Sequence, residues 1–313
     1  DYVIGNPPFF KLKASDPRLP LYRLEAKNKN TSNICSFFLE KSLRLAKYVA
    51  LVFPKFLLNT PEFSTTRAEL AQKSVDAILD FGEKGFPGIL VETIAIFINN
   101  LAAPANTKVF SLTHRLHLTQ PQAYIFDPEL PYWIIYRNQL FDSVCRKLDF
   151  DVFEVFRDRQ LTNKLLSSSG ELRVLKSRNL SDDGKEILDI PGYDSYISYA
   201  AAKPLSVFQY LDAPNVYLTP NMTYKPRMMK KPPHCVVNGS LAILIPKGGI
   251  VPTEKQLAYF SSEEYRAFYQ IARNFQTRSL NVDACSVFFY GLLRDEAKPA
   301  PEKFDTSVQL SFL

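Results

Sequence analysis

Tyr2-Val3-Ile4-Gly5-Asn6-Pro7-Pro8-Phe9 stands at the head of the chain, and the reading of everything after it depends on this run. Tyr2, Val3 and Ile4 suit a pleated strand, and Gly5-Asn6-Pro7-Pro8 stops that strand abruptly. Two successive prolines remove both backbone donors and stiffen the turn. At the carboxyl end of a parallel strand, side chains face the ligand crevice of an α/β sheet. The corner is therefore rich in acceptors: the Asn6 side-chain oxygen and the Pro7 carbonyl lie beside the ring of Phe9. An exocyclic amine is the matching guest, because it donates two hydrogen bonds while its ring stacks on the phenyl face. The plainer alternative for the same residues is a rigid turn with a buried Phe.

Outward from that corner, residues 10–32 are polar, basic and without clear periodicity, which predicts a long loop of the kind that often carries function. Ser32 or Asn33 can cap a helix that places Ile34, Phe37, Phe38, Lys41 and Leu45 on one face. A strand over Val49–Phe53 ends at Pro54, and Thr60-Pro61 reads as the N-cap and first residue of a helix running to about Lys73. Strands follow over Val75–Phe81 and, after a glycine-rich turn, Thr93–Ile98. This alternation predicts layered α/β packing with a mainly parallel sheet closed by one antiparallel pair. Beyond about residue 105 prolines become frequent and strands such as Glu171–Leu175 and Leu241–Ile245 are separated by irregular turns. The expected division is 1–115 and 116–313, the second part an α+β domain.

The bulk numbers bound the function. A chain of 313 residues suffices for two domains with real cores. With 46% hydrophobic and 22% charged residues it is globular rather than disordered. No apolar run is long enough for a membrane-spanning helix, and the first residues lack the basic start and apolar stretch of a signal peptide. Cys35, Cys145, Cys235 and Cys285 are widely spaced, and with His114, His117 and His234 they make no zinc pattern; reduced thiols in a cytoplasmic protein without a metal are expected. The net charge of +6 is concentrated. Lys11 to Lys29 carries six basic against two acidic residues, and Pro220 to Lys255 six against one. Such clusters fit either a polyanionic partner or a solvated surface.

The segment Asn6-Pro7-Pro8-Phe9 resembles motif IV of the amino-methyltransferases, and the resemblance continues along nearly the whole chain. The helix from Ser36 to Leu45 is similar to the one preceding the fifth strand in TaqI-like, gamma-class adenine methyltransferases, and Leu51-Val52-Phe53-Pro54 to that strand. The turn Asp80-Phe81-Gly82-Glu83-Lys84-Gly85-Phe86-Pro87 resembles the one whose Phe covers the second face of a flipped base, and Val91–Ile98 matches the strand that follows. Leu172–Leu180, Val216–Pro246 and Tyr269–Leu293 are similar, more weakly, to parts of the family's target recognition domain.

The resemblance implies the C-terminal half of a Rossmann-like methyltransferase sheet followed by a recognition domain. It implies a site-specific DNA adenine N6-methyltransferase of a restriction-modification system, with S-adenosylmethionine as donor and double-stranded DNA as substrate. Adenine would be flipped out of the duplex, sandwiched by Phe9 and Phe86, and held at its amino nitrogen by Asn6 and Pro7, with Pro8 stiffening the corner; Asp1 would be structural. DNA contacts would come from Lys11, Lys13, Arg178, Asn179, Lys225, Arg227, Lys230, Lys231, Arg273 and Arg278, of which Arg178 or Arg227 has the fork to read guanine.

One departure is large. The glycine-rich strand–turn–helix that binds the donor in this family precedes motif IV, and here nothing precedes Asp1; Gly248-Gly249 is the nearest match elsewhere, and Pro252 argues against it. The expectation is a fragment, or one subunit of a split enzyme, whose partner is the missing N-terminal half and which has an endonuclease fused to it or associated with it. The chain alone is then expected to be inactive. Two rival readings are a DNA-specificity module without catalysis and a methyltransferase acting on an amino group of RNA or protein.

Overall fold

The computed structural model describes residues 1–86, 88, 91–276 and 281–295. They form two compact units. One holds Asp1–Gln139 and a short return that begins at Arg273; the other holds Leu140–Ala272 and 281–295. The boundary therefore falls after Gln139, not after residue 115. The reason lies in the sheet: the strand after 115 is the antiparallel partner of the strand before it, so a cut there would sever a hairpin.

The first unit is built on strands β1 (Tyr2–Gly5), β2 (Tyr48–Pro54), β3 (Ser74–Gly82), β4 (Thr93–Asn99), β5 (Asn106–Ser111) and β6 (Leu116–Pro121). Their spatial order is β1-β2-β4-β3-β5-β6. Only β1/β2 and β3/β5 are parallel; β2/β4, β3/β4 and β5/β6 are antiparallel. The expectation of a mainly parallel sheet is thus corrected. After β3 the chain doubles straight back, and β4 threads between β2 and β3. Its composition suits that central place: Ile94, Ile96 and Ile98 are buried, and so is Ala95 on the opposite side.

Helices α1 (Arg18–Glu25), α2 (Ile34–Leu45) and α3 (Ser64–Ala71) belong to this unit. Residues 10–32 are therefore not a featureless loop. Leu12, Leu19 and Ala26 bury against Ile34 and Phe37 of α2, and Tyr22 stacks on Phe37 at 5.3 Å. The buried carboxylate of Glu40 accepts the Lys27 and Asn28 backbone N–H groups at 2.6 and 3.0 Å. The helix expected from Thr60 breaks into a 3-10 turn over Pro61–Phe63 followed by α3, and the Thr60 hydroxyl donates to Phe56 O instead of capping.

Among the described residues β1 pairs only with β2, so its other edge is open. Tyr2 and Ile4, which share a face of that strand, are 73% and 81% exposed. Tyr48, the register partner of Tyr2, stacks on it at 5.1 Å.

The second unit is α+β. After helix α4 (Gln122–Ile125) in the first unit come α5 (Gln139–Lys147), β7 (Leu148–Asp149), β8 (Phe153–Phe156), β9 (Leu172–Leu175), β10 (Ser195–Ile197), α6 (Tyr199–Ala202), β11 (Tyr217–Pro220), β12 (Met229–Lys230), β13 (Cys235–Val237), β14 (Leu241–Pro246), α7 (Glu254–Tyr259), α8 (Glu263–Ala272) and β15 (Leu292–Leu293). Two small sheets, β12-β11-β14-β8 and β10-β9-β13, share a core of Val174, Leu175, Ile197, Leu218, Val236 and Ile243. A cluster of Phe141, Tyr265, Phe268, Phe289 and Tyr290 fills the unit beside α8. No helix among the described residues is long and apolar enough to cross a membrane, and no disulfide or cluster of metal-ligating side chains is present among them.

Candidate functional site

The first strand ends where its composition says it must, at Gly5 opposite Leu51 of β2, and the two prolines carry the chain away from the sheet. The segment that follows is pinned to the start of α2. Ile34 N–H donates to Phe10 O at 3.1 Å, and Asn33 Nδ2 reaches Phe9 O at 3.5 Å. The other end of the Asn33 amide caps the helix, accepting from Cys35 N–H at 3.3 Å. One asparagine thus couples the helix N-terminus to the corner that bears Phe9.

Asn6, Pro7, Pro8 and Phe9 line a cavity of about 330 Å³ together with Phe86, Val91 and Thr93. That size is at the small end for ligand sites, right for one ring system rather than an extended cofactor. Pro7 is buried, Phe9 half-buried and Asn6 exposed at the mouth. The lining carries no ionisable side chain among its described residues. Such a wall offers acceptors and aromatic faces, not proton transfer.

Phe86 arrives from the β3–β4 connection. The Phe9 and Phe86 ring centroids are 6.4 Å apart with their planes at 73°. A base stacked on both rings needs them parallel and separated by two contact distances of roughly 3.5 Å each. The rings meet edge to face here, so a sandwich requires Phe86 to swing about its side-chain torsions. Gly85, one residue before Phe86, is tightly seated. A Cβ on Gly85 would fall 2.2 Å from Thr93 Oγ1 and 3.1 Å from Phe81 Cβ, so only glycine fits as the turn folds over Thr93.

The basic residues expected to meet DNA part company. Lys11 and Lys13 are exposed, with Lys11 paired to Glu62 at 2.9 Å. Lys225 is exposed and paired to Asp182 at 2.6 Å; Lys230 is exposed. Arg178 is exposed, its guanidinium 4.6 Å from the Tyr193 ring centroid. Four others are corrected by burial. Asn179 donates to Leu188 O at 3.0 Å and Asp194 Oδ1 at 2.6 Å, and accepts from Lys176 N–H. Arg227, 7% exposed, donates to the carbonyls of Lys225, Ser177 and Leu180. Lys231 donates to Leu211 O at 2.7 Å and Pro232 O at 3.0 Å. Arg273 is 3% exposed. Burial lowers the affinity of Arg227 and Lys231 for their protons. These side chains stitch the interior and cannot reach a phosphate. Arg278 lies outside the described residues.

Sequence reasoning missed Lys185 and Lys255, which with Lys230 line a second cavity of about 610 Å³ in the α+β unit, alongside Asp183 and Glu254. Scattered over 70 positions, they gave no linear signal. It also missed Asn33 as a tether and the buried Lys55, Asp80 and Tyr136.

A nucleoside sulfonium donor needs a glycine-rich turn or an equivalent cradle at a strand end. Gly248 and Gly249 instead form an exposed 3-10 turn after β14 in the second unit, with open space about their Cα atoms. None of the described residues that line the motif cavity is a glycine.

Residues 1–86 match the family model of the Eco57I restriction-modification methylase. No curated protein sequence matches the chain. Among solved structures, the type IIL restriction-modification enzyme MmeI in complex with DNA is similar over 92% of this chain and 46% of its own, with 10% identity and a TM-score of 0.52. The type IIG restriction endonuclease BpuSI covers 93% of this chain and 46% of its own, with 10% identity and a TM-score of 0.40. The M protein of the type I restriction enzyme EcoKI covers 36% of this chain and 25% of its own, with 20% identity and a TM-score of 0.29. The chain thus spans less than half the length of each. At these identities the MmeI likeness speaks to fold alone.

Proposed function

We propose that this chain supplies the target-base pocket and DNA-reading region of a restriction-modification DNA methyltransferase acting on the N6 amino group of adenine. The observation that carries the reading is the convergence of Asn6, Pro7, Pro8, Phe9 and Phe86 on one uncharged cavity at the end of the first strand. The motif and Phe86 lie within the residues matched by the Eco57I methylase family model.

In this reading the chain's work is binding and aiming. A flipped adenine enters the cavity and stacks on Phe9, and Phe86 rotates from its edge-on position to cover the opposite face. Stacking of a base on an aromatic side chain is worth about 1–3 kcal/mol. The Asn6 carboxamide oxygen and the Pro7 carbonyl accept from the two amino hydrogens, which localises the nitrogen lone pair and fixes its direction. Orientation of this kind supplies rate without a charged catalyst, in keeping with the uncharged lining. S-adenosylmethionine is the proposed methyl donor, held by a segment or subunit that adds to the open edge of β1 and covers Tyr2 and Ile4. An endonuclease fused or associated completes the proposed system. In the second unit, Arg178, Lys225 and Lys230 remain exposed for the DNA backbone.

The test is tritium transfer from labelled donor to duplex DNA, RNA or protein, with the protein supplied in a form that includes the donor-binding part. Transfer to adenine N6 in DNA, lost in Asn6→Ala while DNA binding is retained, is the expected result. Label on RNA or protein alone, or full activity in Asn6→Ala, would sink the reading.

A further inference from the structure

The turn that carries Phe86 is gripped at both ends by one buried residue. Lys55 follows directly after β2. Its backbone N–H donates to Glu92 O at 2.8 Å, just before β4 begins. Its ammonium donates to Asp80 Oδ2 at 2.6 Å, just before β3 ends. The connection from 83 to 92 therefore leaves and re-enters the sheet through Lys55.

Asp80 distributes that grip. Its Oδ1 accepts Gly82 N–H at 2.8 Å, and its Oδ2 also accepts the Tyr136 hydroxyl at 2.5 Å. Between Asp80 and Gly82 the register of β3 against β4 slips, and Gly82 takes φ +55° with Thr113 Oγ1 where a Cβ would stand. The carboxylate thus satisfies the amide at the irregularity that turns the strand. Gln276 Nε2 donates to Lys55 O at 3.0 Å and closes the cluster from behind.

Lys55, Asp80 and Tyr136 are each no more than 2% exposed. A buried ion pair is poor value as a stabiliser, since well-packed apolar residues of the same volume often do as well or better. Its gain is in geometry, because each hydrogen bond admits a narrow range of positions. Here the positions it constrains are the two roots of the Phe86 turn.

We propose that Lys55, Asp80 and Tyr136 are positioning residues that fix the Phe86 turn over the motif cavity. None of them lines that cavity. They act through the turn: Lys55 clamps its roots, Asp80 holds the Gly82 amide at the end of β3 from which it departs, and Tyr136 holds Asp80. The placement of Phe86 stands on geometry alone, whereas its consequence for turnover rests on the base-pocket reading above.

The experiment separates the two. 4-Fluorophenylalanine is placed at position 86, and its fluorine resonance is followed in the parent, Tyr136→Phe, Lys55→Met and Ile98→Ala. Ile98 is buried at the far end of β4 and serves as a control for general destabilisation. The proposal expects a shifted or split line in Tyr136→Phe and Lys55→Met and an unchanged line in Ile98→Ala. Tyr136→Phe loses only a hydroxyl, so it remains informative if Lys55→Met does not fold. An unchanged line in Tyr136→Phe, or a change of the same kind in Ile98→Ala, overturns the proposal whatever happens to activity. With the donor-binding part present, kcat should fall by about 10- to 100-fold at unchanged DNA affinity, the scale expected for a misplaced reacting group. A displaced line with unaltered kcat would leave the positioning standing and remove Phe86 from the reaction.

Discussion

Gly85→Ala tests the wall of the candidate site directly. The added methyl would sit 2.2 Å from Thr93 Oγ1 and 3.1 Å from Phe81 Cβ. The first distance is more than 1 Å inside a normal contact of about 3.5 Å, so something must move. Thr93 is fully buried on the central strand, and its β-branched side chain has little freedom. Rotation would swing its methyl into the place its hydroxyl leaves. Overpacking of this kind costs about 1–3 kcal/mol, which for a protein of this size lowers the melting temperature by about 2–4 °C per kcal/mol. The sharper reading comes from pairing. Thr93 Oγ1 has no hydrogen-bond partner among the described residues, so its removal forfeits no hydrogen bond. Thr93→Ala should therefore cost about 1 kcal/mol in the parent, from lost burial, yet restore stability in Gly85→Ala, a coupling of about 1–2 kcal/mol. Thr93→Val keeps a methyl where the hydroxyl was and should rescue nothing. Thermal and urea unfolding of the single and double variants measure this. Strict additivity of Gly85→Ala and Thr93→Ala, or equal rescue by Thr93→Val, would show that the turn does not lie on Thr93, and Phe86 would lose its place in the cavity.

Three further outcomes are expected. Arg227→Ala strands three carbonyls and should lower stability by at least about 2 kcal/mol, whereas Arg178→Ala should be near neutral in stability but reduce the salt slope of DNA binding by about 1; the opposite pattern would reverse their assignments. Glu264 is held below its ordinary 4.5 by the Lys147 hydrogen bond at 2.5 Å and by the Tyr259 hydroxyl. Because the folded value is the lower one, its stabilisation is complete above 4.5 and is lost as pH falls through the folded value. Melting temperatures followed down through that window should therefore fall less steeply in Lys147→Met than in the parent, and identical slopes would refute the coupling. Burial pushes the Cys35 thiol up to about 12, so iodoacetamide at about pH 8 should spare it in the native protein and modify it only on unfolding; mass spectrometry of the native adduct checks this.

Much of the first unit was legible because its signals are local. Strand ends at Gly5 and Pro54, the Asn33 cap and the apolar run of Thr93–Ile98 each depend on a few neighbouring residues, and each lies within a residue or so of its expected place. Strand direction is not local. Whether β4 pairs with β2, with β3 or with both depends on which edge the returning chain meets, so the mainly parallel sheet expected from the alternation of elements became a mixed one. The basic residues fared worst. A lysine or arginine in a polar stretch looks the same whether it faces water or bonds to an interior carbonyl, as Lys230 and Lys231 show: adjacent in the chain, one exposed and one buried.

The amino-acid order alone determined the acceptor-rich corner at Asn6–Phe9, because a proline pair dictates backbone geometry and donor count with no help from distant residues. It also marked Phe86 as a second aromatic, but only through the likeness of its flanks. Folding decided that the two rings, 77 positions apart, share one cavity and meet edge-on. It likewise decided that Lys55 clasps both ends of the intervening turn and that four of the polar side chains expected to meet DNA are spent on the protein's own interior. These are outcomes of long-range packing. They depend on which groups are removed from water together, and that is a property of the assembled fold rather than of any segment.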